Sequence, residues 1–156
     1  MSSSSAEILN DFLAQKRLAV VGVSRNAKGF SNTLFRELKG RGYDLVPVNP
    51  KASEVEGQRC FARVQDVTPP VDGALLMTTP ATTEQVVRDC ADAGVTRVWM
   101  YRAVGAGAVS RKAVDFCREK GIRVVEGACP YMFLPGAGLG HRLHGSLLKL
   151  LGRYPG

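Results

Sequence analysis

Glycines, hydroxyls and two cations crowd one short stretch of the chain, Gly22-Val23-Ser24-Arg25-Asn26-Ala27-Lys28-Gly29-Phe30-Ser31. Glycine lets a backbone turn tightly and approach a phosphate. A helix that starts behind such a turn offers free N–H groups and the positive end of its dipole. The chemistry of the stretch is therefore anion holding, with Gly22, Ser24, Arg25 and Lys28 in the loop. Ser31 either caps the helix or bonds a phosphate through its hydroxyl. The spacing belongs to neither of two familiar phosphate loops. Ser24 stands where G-x-G-x-x-G needs its second glycine, and no Gly-Lys-Ser/Thr follows at the P-loop spacing.

Three further stretches end apolar runs in the same way. After Val48 come Asn49, Pro50 and Lys51. A nicotinamide cofactor with free ribose hydroxyls usually meets an acid at this place. The nearby acid, Asp44, stands at the entry of the run instead. An uncharged Asn followed by Lys suits a ribose that carries a phosphate, which leaves an NADP-like or a coenzyme A-like ligand. Thr78, Thr79 and Pro80 close a third run, where hydroxyls and a rigid turn suit an adenine or pantetheine groove, or a plain strand-to-helix turn. Tyr101 and Arg102 close a fourth and lead into a glycine-rich loop. No nucleophile elbow G-x-S-x-G and no H-E-x-x-H is present, so no catalytic residue is assigned.

These stretches need strands to end where they stand. An apolar run over residues 17–22 predicts a strand buried on both faces. Similar runs follow at 43–48, 71–77, 97–101 and 122–125, with Pro47 expected near its strand's end. Amphipathic spacing predicts helices at 4–15, 31–40, 82–93 and 110–120, with Ser4/Glu7 and Thr82/Gln85 as capping boxes. A short helix or turn is expected around 53–56 in an otherwise irregular stretch. The alternation predicts an α/β, Rossmann-like three-layer sandwich with a five-stranded parallel sheet, plus a last helix near 141–151. Ligands of such sheets sit outside the carboxyl ends of the strands, where the strand order reverses. The first and fourth strands are expected to border that point, which would bring Arg102 to the same pocket.

The 156 residues make one domain by length, with a core at about 17–126 and an extension at 127–156. Net charge is +7, and from Lys16 to Arg41 seven basic residues face one acid, Glu37. This places much of the basic excess beside the anion loop. Nucleic-acid binding is not expected, since no recognition motif or aromatic platform accompanies the charge. No apolar run approaches a membrane span. No export signal is read, which predicts a cytoplasmic protein with reduced thiols. Cys60, Cys90, Cys117 and Cys129 form no C-x-x-C pair. His141 and His144 share a helical face but no metal site is assigned. The leucines around them form a stripe that would pack on the domain or on a second copy in a homodimer.

At these residues the sequence resembles the bacterial and archaeal CoA-binding protein family. These are stand-alone Rossmann-like domains similar to the CoA-binding domain of the succinyl-CoA synthetase α subunit. The matching stretches are AVVGVSRNAKGFSN, GYDLVPVNPKASEVEGQRCF, VDGALLMTTP and VTRVWMYRAVG. The resemblance implies that Gly22, Ser24, Arg25 and Ser31 cradle phosphates. It implies that Val48, Asn49, Pro50 and Lys51 hold the nucleotide end, and that Thr78, Thr79 and Pro80 line the groove. Ala27 stands where the family loop often has proline, and the tail matches less well. The implied ligand is coenzyme A or acyl-CoA, bound without catalysis. An NADP-dependent reductase, or an acyl-CoA-processing enzyme acting with a partner subunit, is the alternative. Cys129, past the last strand on the ligand edge, would then stand where a CoA thiol could form a mixed disulfide with it.

Overall fold

Each main strand is a run of four or five residues whose successive side chains point to opposite faces, and both faces are apolar. Such strands must be covered on both sides. The computed structural model describes residues 5–103 and 105–133. In order they form α1 Ser5–Leu13, β1 Arg17–Val21, α2 Phe30–Gly40, β2 Asp44–Val48, β3 Glu54–Val55, β4 Gln58–Arg59, β5 Gly73–Leu76, α3 Pro80–Asp92, β6 Arg97–Met100, α4 Arg111–Glu119 and β7 Arg123–Glu126. Five strands make one parallel sheet in the order β2-β1-β5-β6-β7. This is the predicted Rossmann-like α/β fold. The predicted last helix, with His141 and His144, and the capping residue Ser4 lie outside the described residues.

The period of two sorts the core into two layers. Ala19, Val21, Val46, Val48, Leu76 and Met100 face α3 and α4, where Val87, Cys90, Val114 and Cys117 meet them. Leu18, Val20, Leu45, Leu75 and Trp99 face α1 and α2, where Leu9, Phe12, Leu34, Phe35 and Leu38 meet them. Phe12 meets Trp99 edge to face with ring centroids 5.5 Å apart. Gly73 makes room for this, because a Cβ there would stand 3.1 Å from the Phe12 ring.

Three expectations are corrected. Residues around 53–56 form no helix; the turn expected there as the alternative is that of an antiparallel β3–β4 hairpin, in place of irregular chain. Its two turn residues, Glu56 and Gly57, both take positive φ, 54° and 72°, the backbone twist that two-residue hairpins require. The third helix begins at Pro80, and its cap is Thr79, whose side chain accepts from the Thr82 N–H; the Thr82/Gln85 box does not form. Lastly, β1 pairs with β5, the third sheet strand, and not with the fourth. Only one strand, β2, lies beyond β1, so the order reverses between β1 and β5. Pro47 sits next to the end of β2, an edge strand, as expected. Its carbonyl faces outward to the Phe61 N–H at 3.1 Å. The proline nitrogen faces the same way, so its missing hydrogen costs the β1–β2 ladder nothing.

At the amino edge, α1 is pinned by charge as well as by Phe12. Asp11 accepts from Arg97 Nε at 2.7 Å and lies 3.3 Å from Arg123. The Arg97 hydrogen bond holds the Asp11 carboxyl below its usual range against the opposing effect of burial. A carboxyl whose folded pKa is depressed stabilises the fold above its unfolded value, about 4, and loses that contribution as pH falls through the folded value. Asp11→Asn is therefore expected to lower the melting temperature at pH 7 by a few degrees, equivalent to about 1 kcal/mol. The gap to wild type should close as the pH is lowered below about 4. A constant gap in melts taken across that range would refute this account.

Candidate functional site

The strand order reverses between β1 and β5, and Gly22 leaves β1 at that point with φ of 92°. An added Cβ there would lie 2.5 Å from the Met77 carbonyl oxygen. The Gly22 N–H donates to the Val48 carbonyl at 2.9 Å. Three strand ends thus converge on one glycine. Beside it opens a cavity of about 630 Å³, within the range of small-molecule sites. Of the residues singled out in the sequence, Gly22, Val48, Asn49, Pro50, Lys51 and Thr78 line it together.

Asn49 shapes this edge. Its side-chain amide donates to the Val23 carbonyl at 2.9 Å, and its oxygen accepts from the Lys51 N–H at 2.9 Å. It thereby ties the loop after β1 to the loop after β2 and sets where Lys51 leaves the backbone. Thr78 shares a 2.6 Å hydrogen bond with the buried Thr83 hydroxyl. Thr79 and Pro80 serve as cap and first residue of α3, outside the cavity lining.

The anion loop lies on the other side of Gly22 and leads into α2. Gly29 caps α2 without a side chain, so Ser31 is not the cap. The Ser31 hydroxyl instead accepts from the Ser24 N–H and donates to Asn32 Oδ1, each at 3.0 Å. Ser24 Oγ accepts from the Asn26 N–H, and Asn26 Oδ1 from the Lys28 N–H. Several loop amides are therefore engaged in shaping the loop. Those of Arg25, Ala27 and Ser31 make no hydrogen bond among the described residues. They stand with the exposed Arg25 and Lys28 side chains at the N-terminus of a helix whose first turn holds no acid, an electrostatic setting that favours an anion.

The far wall of the cavity comes from residues that the sequence did not mark as part of a site, although Thr82 and Gln85 were expected as a capping box. Thr82, Gln85, Val86 and Asp89 face it from α3, and Arg63 from the segment after the hairpin. Asp89 accepts from Gln65 at 3.0 Å and Gln85 at 3.1 Å, with Arg63 at 3.5 Å. The signal was present as spacing: positions 82, 85, 86 and 89 fall on one helical face. At the ends of β6 and β7, Arg102 lies away from the cavity, with its guanidinium over Gly127. Tyr101 stacks on Phe30, which is 47% exposed, with ring centroids 5.7 Å apart. Burial, helped by neighbouring Cys129, raises the Tyr101 phenol. Cys129 is half-buried, whereas Cys60, Cys90 and Cys117 are buried; burial pushes the Cys117 thiol up to about 12. No group of three metal-ligating side chains occurs among the described residues, and no described helix is long and apolar enough to cross a membrane.

The basic excess is less concentrated at the loop than the count from Lys16 to Arg41 suggested. Arg17 pairs with Asp44 on the opposite edge, Arg36 with Glu56 and Arg41 with Glu37. Arg25 and Lys28 are the loop's own cations, and Lys51 and Arg63 stand on the cavity.

Comparison with known proteins adds a family to this geometry. Residues 16–135 match the family described as CoA binding domain. The chain is 25% identical over 126 residues to an uncharacterized protein of Bacillus subtilis, YneT, covering 81% of this chain and 90% of that one. It is 25% identical over 118 residues to an ADP-forming acetate–CoA ligase of Methanocaldococcus jannaschii, covering 73% of this chain but 17% of the ligase. Among solved structures, a hypothetical protein from Pyrococcus horikoshii OT3 superposes with a TM-score of 0.73 at 27% identity, covering 82% of this chain and 87% of that one.

The convergence on Gly22 can be tested directly. Gly22→Ala should destabilise the protein by about 2–4 kcal/mol, from strain at positive φ plus displacement of the β5 end. Gly42→Ala is the control, since φ there is 95° with nothing within 4 Å of an added Cβ; it should cost only about 1–2 kcal/mol. Equal losses in denaturant titrations would show that the close approach to Met77 is not what requires glycine.

Proposed function

Because this chain belongs to the CoA binding domain family, we propose that it binds coenzyme A or acyl-CoA across the carboxyl edge of its sheet, with no catalysis of its own. The observation that carries this reading is the junction at Gly22, where a cavity with cations on its rim meets an anion loop at a helix N-terminus. Coenzyme A has matching parts: a ribose that carries a phosphate, a pyrophosphate and a long neutral tail. In this reading the nucleotide end fills the cavity between Val48–Lys51 and α3, and its ribose phosphate faces Lys51 and Arg63. The pyrophosphate crosses Gly22 to the loop amides, Ser24, Ser31, Arg25 and Lys28. The tail follows Thr78, Thr79 and Pro80 toward Tyr101 and Arg102, and its thiol approaches Cys129.

The family match does not favour the NADP-dependent reductase. A CoA ligand and free thiols fit a cytoplasmic setting. The ligase relative's activity belongs to a chain of which this one spans 17%, and it is not proposed here.

Calorimetric titration with coenzyme A and dephospho-CoA tests the assignment. Coenzyme A should bind about tenfold more tightly, and Lys51→Ala should abolish most of that preference. Arg25→Glu should weaken both ligands by a similar factor, because it acts on the pyrophosphate that they share. Equal affinity of the wild type for the two ligands would overturn the placement of the ribose phosphate. Absence of binding by either would overturn the function.

A further inference from the structure

One carboxylate outside the cavity has more partners than a surface hairpin needs. Glu56 sits in the turn between β3 and β4 at φ of 54°, a conformation that glycine adopts readily and a glutamate rarely does. Its side chain points toward α2. Glu56 Oε2 accepts from Asn32 Nδ2 at 3.0 Å. Both carboxylate oxygens accept from Arg36 Nη1, at 2.9 and 3.0 Å. Asn32 is 1% exposed, and the same Nδ2 donates to the Ser24 carbonyl at 2.8 Å. Asn32 Oδ1 accepts from the Ser31 hydroxyl, which in turn accepts from the Ser24 N–H. Arg36 Nη2 donates to the Ala27 carbonyl at 3.2 Å. Two points of the anion loop, Ser24 and Ala27, are thus each one side chain away from the same carboxylate.

A negative charge near an anion loop opposes ligand charge, so a direct contact between Glu56 and phosphate is excluded by sign. A geometric role has no such conflict. The Asn32 bond holds the Glu56 carboxyl below its usual range, with burial opposing and Arg36 adding to the effect, as expected of a carboxylate already satisfied by its own donors.

We propose that Glu56 is a positioning residue: through Asn32 and Arg36 it holds loop 22–29 in the shape that presents its free amides to the ligand's pyrophosphate. The proposal takes its ligand from the CoA reading above. Glu56→Gln keeps an acceptor at the Oε2 position for Asn32 but sets its NH2 group against the Arg36 donor at the Oε1 position, so it should retain the Asn32 arm and weaken the Arg36 arm. Glu56→Ala removes both contacts.

The test compares wild type, Glu56→Ala and Glu56→Gln for binding of coenzyme A and of adenosine 3′-phosphate, which lacks the pyrophosphate. Amide hydrogen exchange of residues 22–29 is measured without ligand. Glu56→Ala should lose about tenfold in affinity for coenzyme A and exchange faster in the loop, with adenosine 3′-phosphate affinity unchanged and Glu56→Gln between wild type and Glu56→Ala. Equal loss for both ligands would mean a general structural effect and would overturn the proposal, as would wild-type affinity and exchange in Glu56→Ala. Should Glu56→Ala not fold, Arg36→Ala cuts only the Ala27 arm. It should weaken coenzyme A about threefold and speed exchange at 27–29; no change in either would overturn the proposal. A wild type that binds no coenzyme A refutes the CoA reading instead, and the positioning role then stands or falls on the exchange of residues 22–29.

Discussion

At the end of β1 the chain passes so close to β5 that a side chain on residue 22 would collide with the Met77 carbonyl. The edge of the molecule is organised by this one close approach. Because Gly22 takes positive φ, the chain turns away from the sheet at once. The same residue can then donate to the Val48 carbonyl on the other side. Strands β2, β1 and β5 therefore end at nearly one level, and their three following loops border a common space. A later turn at this point would carry β1 further and fill the cavity with its own side chains.

Polar side chains at the edge act mainly on the backbone. Asn49 joins two loops, Ser31 holds the Ser24 amide, and Thr79 caps α3. Hydroxyl and amide groups at the mouth of a parallel sheet are often read as ligand contacts. Here the loop carbonyls and amides would lack partners without them, and an unpaired buried group costs more than a hydrogen bond gains. Such residues prepare the site by deciding which amides stay free. Charge that can reach a ligand then comes from long, exposed side chains whose positions tolerate movement, Arg25, Lys28, Lys51 and Arg63.

The sheet was legible because buried parallel strands are written as uninterrupted apolar runs, and the loops because glycine and proline punctuate them. Helix starts were less so. Two threonines compete for the cap of α3, and Thr79 holds it because Pro80 suits the first helical position. The β3–β4 hairpin was hidden because its turn begins on a glutamate, where a sequence signal would ask for Asn, Asp or Gly. Residues that act through their own backbone neighbours could be found at strand ends. The cavity wall of Gln85 and Asp89 could not be placed that way, since tertiary packing alone decides which cavity a helix face meets. The neighbour of β1 was not legible, because the alternation of strands and helices is the same whether one strand or two lie beyond β1.

Net charge shows how position changes the meaning of composition. At the amino edge, arginines are matched: Arg97 and Arg123 share Asp11, and Arg17 holds Asp44. These pairs bind α1 and β2 to the sheet and leave little field. At the carboxyl edge, acids are drawn inward. Glu56 is turned to Arg36 and Asp89 to two glutamines and Arg63. These two carboxylates have their own donors, so their charge is partly neutralised before any anion arrives. Arg25 and Lys28, by contrast, are exposed on the loop. A segment count of seven bases to one acid overstated the cations available to the site, yet gave the correct sign. The field that a phosphorylated ligand would meet depends on which nearby charges lack a partner within reach, and at the loop after β1 those are the exposed Arg25 and Lys28.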